Sequence, residues 1–393
     1  MERETCKLLE LWETSRESIL PKNLFGRHFS DTSKGEPGKR ATLFWGKAAH
    51  ATYQVYEKTE PRSNLVLVIS PGSTRPASRK ADSLFLAGEH PLPGAGSFRA
   101  GQALLDFFDE LGQRRIKHLD VFLSGGASSL AWVLPPGFDQ TALLKKLQTL
   151  YSEPLTIEAL NQARAKLCRL KGGGAFRELQ KRSRQTQVKV HLISDVAPFG
   201  ARVVGSGPFW HEKVPHRIYA DNSTWIRAIA REAKQMRLPI LFQTHSQLGD
   251  WQAWVNLVSK LSQSAKRSGL LILGGEPQMR LPKNSRGKGG RLTQIAAALL
   301  QENFPLIQSG RLEILCASSD GTDGLSHASG VLLHANVTRE IEMHTSLYSF
   351  AQSQLDTAMN QFNTAPLLEK FHALVPAHSP ETNVQDVIIA HLR

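Results

Sequence analysis

Leu119-Asp120-Val121-Phe122-Leu123-Ser124-Gly125-Gly126-Ala127-Ser128-Ser129 reads as an apolar strand that runs into a glycine turn and then a helix start. A strand with apolar residues on both faces is buried on both faces, as in a parallel sheet covered by helices. Glycine at its end lets the backbone approach a ligand closely, and successive N–H groups at a helix start can hold an anion. The stretch is not a Walker A loop, because no Gly-Lys-Ser/Thr follows, and it lacks GxGxxG spacing.

The same form recurs outward along the chain. Leu43-Phe44-Trp45 leads into Gly46-Lys47-Ala48 and a helical stretch to about Lys58, and Leu65 to Ser70 is a continuous apolar run closed by Pro71-Gly72. A helix across 99–112 precedes Leu119, and further apolar runs span 188–194, 270–273 and 312–317. Residues 5–20 and 223–236 carry helical periodicity. Apolar strands alternating with helices predict an α/β protein with mainly parallel sheets, and no repeat or heptad array interrupts the pattern. Residues 209–217 lack periodicity, so the division is placed near 215. This gives a first domain over 1–215 and a second over 216–393, with 374–393 free to pack back on the first.

The 393 residues suffice for two or three compact units. Apolar residues at 41% and charged residues at 21% fit a globular chain rather than a disordered or fibrous one. No apolar run approaches the roughly 20 residues of a membrane span, and the charged first ten residues break any signal-peptide core. Cys6, Cys168 and Cys316 are odd in number and far apart, which predicts reduced thiols and a cytoplasmic protein. The net charge of +13 invites a nucleic-acid reading. The densest basic stretch, 177–189, has no interleaved aromatics, so it reads as a solvated face; neither nucleic acid nor membrane is expected as a partner.

In doubly wound sheets ligands bind beyond the carboxyl ends of the strands, so the residues after each apolar run are the informative ones. Ser194-Asp195 follows one run, Gly274-Gly275-Glu276 another, and Ser318-Ser319-Asp320-Gly321-Thr322-Asp323-Gly324 a third. Carboxylates of this kind suit Mg²⁺, which takes one or two of them together with substrate phosphates. For any one acid a turn or a helix cap is the plainer use; the recurrence points to a site. Asp320 and Asp323 lack the other ligands of a calcium loop. Cations also recur beside glycine: Lys47 before Ala48, Lys171 before Gly172-Gly173-Gly174, and Arg291 after Gly287-Lys288-Gly289-Gly290. A lysine supplies a point charge to a phosphate and an arginine a planar fork. His90, in Gly-Glu-His-Pro, could touch a substrate carboxylate, while no HExxH or Cys/His cluster supports zinc.

Taken in order, these motifs resemble the class II glycerate kinases, also called the glycerate 2-kinase or MOFRL family and sometimes labelled hydroxypyruvate reductase. The resemblance covers about 41–390. It includes Gly46-Lys47-Ala48, Gly88-Glu89-His90-Pro91, Leu123-Ser124-Gly125-Gly126, Asn161 to Arg164, Lys171-Gly172-Gly173 and Ser194-Asp195-Val196. It continues through Ser206-Gly207-Pro208, Gly274-Gly275-Glu276, Gly287 to Arg291, Asp320 to Gly324 and Thr382-Asn383-Val384. It implies two α/β domains, the first Rossmann-like, with the active site in the cleft between them. The implied activity is ATP- and Mg²⁺-dependent phosphoryl transfer to the 2-hydroxyl of D-glycerate or a similar hydroxy acid.

Carried over, Lys47 and Arg291 stand at the phosphates or the acid, and Asp195 joins them as a catalytic candidate. Ser124, Gly125, Gly126, Ser128, His90, Lys171, Glu276 and Asn383 are the binding candidates, and Asp320 and Asp323 the metal candidates. A homodimer is compatible with the resemblance. The chain departs from the family in a short linker after Ser206-Gly207-Pro208 and in three replaced motifs. Leu292, Thr293 and Gln294 replace Asn-Gln-Glu; Pro198 to Ala201 replace a Gly-Asp-Asp stretch; and His378 to Glu381 replace Gly-Pro-Thr-Gly. These motivate an alternative, a ligand-binding or regulatory member without turnover, and the older label a second, an NAD-linked reductase.

Overall fold

The computed structural model describes residues 7–32, 39–58, 63, 65–72, 83–152, 157–196, 200–280, 287–344, 348–379 and 381–393. Six strands form the first sheet: β1 (Arg40–Trp45), β2 (Leu65–Pro71), β3 (Ser83–Gly88), β4 (His118–Leu123), β5 (Gln187–Ile193) and β6 (His216–Ala220). Their order is β3-β2-β1-β4-β5-β6 and every pairing is parallel, the doubly wound arrangement expected of the buried apolar runs. The helix Ala95–Gln113 shows why the layers hold. Ala100, Leu104, Leu105, Phe108 and Leu111 lie on its buried face and pack with Leu43, Leu67 and Val121 of the sheet. Burying each large apolar side chain contributes about 1.5–3 kcal/mol. The one acid in the quoted strand, Asp120, is buried and held by Arg40 Nη1 at 2.7 Å and His191 Nε2 at 2.9 Å.

The second sheet contains β7 (Ile240–Asp250), β8 (Gly269–Gln278), β9 (Leu312–Ser318), β10 (Ala328–Leu333), β11 (Leu374–Pro376) and β12 (Asp386–Leu392), in the order β11-β10-β9-β12-β8-β7. Only β7 and β8 pair in parallel; the other four pairings are antiparallel. The α/β class and the parallel first sheet stand as expected, while the second sheet is mixed rather than mainly parallel. Strands buried on both faces read as apolar runs whichever way they point, so the sequence pattern carries no direction.

Two compact units emerge, one of residues 20–221 with 381–383, the other of 1–19, 222–380 and 384–393. The division expected at 215 therefore moves to 221/222. The first helix, Lys7–Glu17, is counted with the second sheet, where Trp225 Nε1 meets Ser15 Oγ at 3.3 Å. Of the segment 374–393, residues 381–383 are counted with the first unit, whereas β12 is an interior strand of the second sheet, bonded on both sides. Cys168 and Cys316 are buried thiols, and Cys6 lies outside the described residues. No described helix is long and apolar enough to cross a membrane.

Candidate functional site

In the first unit, β1 and β4 are the neighbours at which the strand order reverses, and their ends carry Gly46-Lys47 and Ser124-Gly125-Gly126. The two turns are sewn together. Ser124 N–H donates to Trp45 O at 3.0 Å, Lys47 N–H to Gly125 O at 2.9 Å, and Ala48 N–H to Ser124 Oγ at 3.0 Å. Gly46, at φ +133°, is required there because a Cβ would overlap Ser124. Ser124 is therefore buried and ties the turns, while Gly126 and Ser128 form the part-exposed face. Only one helical turn follows, Ala127–Leu130, so the dipole expected for anion binding is that of four residues, and charge at this edge comes from side chains.

The side chains converge on the turn. A Cβ on Gly125 would overlap the Asp195 carboxylate, and one on Gly126 would crowd Lys47 and His90. Arg164 Nη2 donates to Ser128 Oγ, and Lys171 Nζ donates to the Ser128 carbonyl beside Trp132 Nε1, which reaches it at 2.8 Å. Lys171 is wholly buried with its Nζ 4.9 Å from the Trp132 ring centroid; burial, with the nearby Arg164 charge, lowers its pKa to about 7. Its Gly172 and Gly173 N–H groups bond Ser206 O at 2.9 Å and Gly207 O at 2.7 Å, joining two motifs as one turn pair. Lys171 thus reaches the backbone of the turn rather than its open face. His90 is held near 4, so neutral at neutral pH, by partial burial and by the Lys47 and Arg164 charges.

Glu89 beside it has a different task. Its carboxylate accepts Gly96 N–H at 2.9 Å and Ser97 N–H at 2.8 Å, capping the helix Ala95–Gln113 and fixing the turn that carries His90. Despite burial, which raises it, these bonds hold the Glu89 pKa below the usual carboxylate range.

In the second unit Arg291 opens the helix Arg291–Gln308. Its Nε donates to Asp386 Oδ2 at 2.7 Å and its Nη1 to Glu276 Oε1 at 2.8 Å. Asp386 is fully buried; burial and the Asp323 and Glu276 charges raise its pKa to about 6 against the lowering effect of Arg291. Asp386 remains mostly ionised at neutral pH, and the paired carboxylates hold Arg291 charged. Asp323 accepts Leu292 N–H at 3.1 Å on Oδ1 and Thr293 N–H at 2.8 Å on Oδ2, and Gly290 lacks the Cβ that would overlap it.

Asp323 is thus a helix cap, buried, with a pKa raised by that burial. Both Asp323 oxygens are taken by helix amides, and among the described residues no group of three or more His, Cys, Asp or Glu is placed to hold a metal ion. Asp320 sits on the turn after β9, part-exposed. Asn383 lies before β12, within the 381–383 segment counted with the first unit.

Lys47, His90, Ser124, Gly125, Gly126, Ser128, Lys171 and Asp195 therefore share one strand edge, and Glu276 and Arg291 share another with Asp323. Sequence reading missed Asp386 and Glu89 as site residues and did not single out Arg164 within its motif. An acid at the head of the apolar run 387–390 was the available signal for Asp386, and for Arg164 the signal was its place at the end of the Asn161 to Arg164 motif. The departures at 292–294 serve packing: Leu292 is core, Thr293 Oγ1 accepts Gly290 N–H at 2.8 Å, and Gln294 Nε2 donates to Met359 O at 2.9 Å. Pro198, Phe199 and Pro380 lie outside the described residues.

The family described as Domain of unknown function (DUF4147) matches residues 7–232, and the MOFRL family matches residues 269–386. D-glycerate 2-kinase from Thermotoga maritima is 25% identical over 346 residues, 76% of this chain and 78% of that one. Glycerate kinase from Rattus norvegicus is 34% identical over 127 residues, covering 32% of this chain and 23% of its own. A crystal structure of glycerate kinase from Thermotoga maritima shares the fold, with a TM-score of 0.82, 19% identity and 98% of each chain covered. The chain belongs to the DUF4147–MOFRL family, that of the class II glycerate kinases.

Proposed function

We propose that the protein transfers the γ-phosphoryl group of ATP to the 2-hydroxyl of D-glycerate or a similar small hydroxy acid. The observation that carries this reading is the edge at β1 and β4, where Lys47, His90 and Asp195 meet a glycine turn with no room for a Cβ. Phosphoryl transfer asks little covalent chemistry of a protein; it needs in-line positioning and cations on the equatorial oxygens. Lys47 supplies such a cation. The Asp195 carboxylate, admitted by Gly125, orients the attacking hydroxyl and accepts its proton. His90, being neutral, packs and hydrogen-bonds without adding charge. Gly126 and Ser128 offer the surface against which the acid lies. Arg291, held by two carboxylates, keeps a fixed fork with unshared N–H groups for an anion. Mg²⁺ arrives as the counter-ion of the nucleotide phosphates, and no step is assigned to a protein-bound metal.

Purified protein with ATP, Mg²⁺ and D-glycerate is expected to release ADP and phosphoglycerate. Absence of turnover over a panel of small hydroxy acids would sink the reading.

A further inference from the structure

Ser128 is held at two of its groups: by Arg164 at its hydroxyl, and by Lys171 and Trp132 at its carbonyl. Arg164, on the helix Ile157–Leu167, is buried, whereas Ser128 is part-exposed. A buried guanidinium thus bonds the hydroxyl of a part-exposed residue. The charged groups bearing on His90 are Lys47 and Arg164, and Arg164 is the cation bearing on Lys171. Asp195 reaches the turn at Gly125, while Gly126 faces Lys47 and His90. Cationic side chains therefore gather at the Ser128 end of the turn. Withdrawing charges from water is costly, and a recess that gathers cations is stabilised by an anion. A planar guanidinium with a hydroxyl beside it matches the two oxygens of a carboxylate better than it matches a spherical ion.

We propose that Arg164, with Ser128 Oγ as the second donor, binds the carboxylate of the acceptor substrate and makes the protein selective for hydroxy acids over their neutral counterparts. Lys171 is a positioning residue here, holding the Ser128 backbone in place. On binding, the Ser128 hydroxyl, which accepts from Arg164 in the free protein, turns to donate to the acid. This deepens the kinase reading and rests on it for the name of the substrate, since Lys47 is left to the transferred phosphoryl group.

The test compares D-glycerate with its neutral amide, glyceramide, in wild type, Arg164→Gln, Arg164→Lys and Ser128→Ala. It reads kcat and KM, and separately the thermal shift each ligand gives without ATP. Wild type is expected to favour the acid by at least about 100-fold in kcat/KM, a ratio in the range of a lost charged hydrogen-bond partner. Arg164→Gln should raise the glycerate KM by about 10–100-fold with a smaller change in kcat and bring the acid-to-amide ratio toward one. Arg164→Lys should fall between, and Ser128→Ala should show a weaker form of the same split. Added guanidinium should restore glycerate turnover in Arg164→Ala, which a purely structural role would not allow.

A folded Arg164→Gln that keeps the wild-type acid preference overturns the proposal and leaves the kinase reading standing. A glycerate thermal shift lost in Arg164→Gln, in a protein without turnover, supports the carboxylate site and removes the kinase reading. No hydroxy-acid shift and no turnover in wild type overturns both.

Discussion

The turn after β4 and the turn before Arg291 use the same device for different ends. In each, a glycine leaves room for a carboxylate that a Cβ would exclude: Gly125 for Asp195, Gly290 for Asp323. At Gly125 the admitted acid is part-exposed and shares the turn with Lys47 and His90. At Gly290 the admitted acid is buried and takes the amides of Leu292 and Thr293, while the adjacent guanidinium is held in place by Glu276 and Asp386. Glycine beside an acid at a strand end thus signals close approach, not chemistry. What the acid does is set by what lies in front of it, the helix amides at Asp323 or the Lys47 and His90 side chains beside Asp195.

The widest contrast is in activity. Lys47→Ala should lower kcat/KM for ATP and glycerate by about 10²–10³-fold, the range for removing one electrostatic donor to a transition state. Its thermal midpoint should stay close to that of wild type. A loss under tenfold would strip the first turn of its catalytic reading and leave the two regions alike.

Matched glycine substitutions should then separate the regions. Gly290→Ala sets a methyl against both the Asp323 carboxyl and its backbone carbonyl, and it loosens the cap of an 18-residue helix. A cost of about 1–3 kcal/mol from overpacking is expected, visible as a lower urea midpoint. Gly125→Ala meets only the Asp195 side chain, which can swing aside. It should cost under about 1 kcal/mol of stability while reducing turnover at least as strongly as it displaces Asp195. Equal stability losses in both variants, with turnover intact in Gly125→Ala, would break the comparison.

How much of this was legible follows from the same residues. Apolar runs ending at Leu123, Ile193, Leu273 and Ala317 located strand ends, because burial on both faces leaves a pattern local to a few residues. The glycines marked close approach for the same reason. Strand direction in the second sheet was not legible, nor was the placement of β12 between β8 and β9, since pairing partners for residues 386–392 lie some 70 to 120 positions away. Asp323 was equally opaque. Its acid-glycine surroundings suit a metal loop or a cap, and only the amides of Leu292 and Thr293, about thirty residues earlier, decide between them. The fold class was carried by local signals; the division of labour among the acids was carried by distant ones.

The smallest effect per step is in the pH dependence of stability, and it has opposite signs in the two regions. Lys171 is lowered from 10.5 to about 7 by burial, so between those values the unfolded chain binds the proton that the folded chain has lost. Stability from this group therefore rises with pH across about 7 to 10.5, by at most about 1.4 kcal/mol per unit. Asp386 is raised from 3.8 to about 6, so the folded chain holds the proton longer, and its contribution falls as pH rises from about 4 to 6. Urea unfolding of wild type and Lys171→Met at steps of one pH unit isolates the first slope as a difference between the two proteins, since every other titration is common to both. The difference should grow from pH 7 to 10 and be flat below pH 6. A difference that is flat throughout would mean that Lys171 keeps its proton in the folded state. The buried ammonium would then be charged beside Arg164, and the pull of the first turn on an anion would be stronger still.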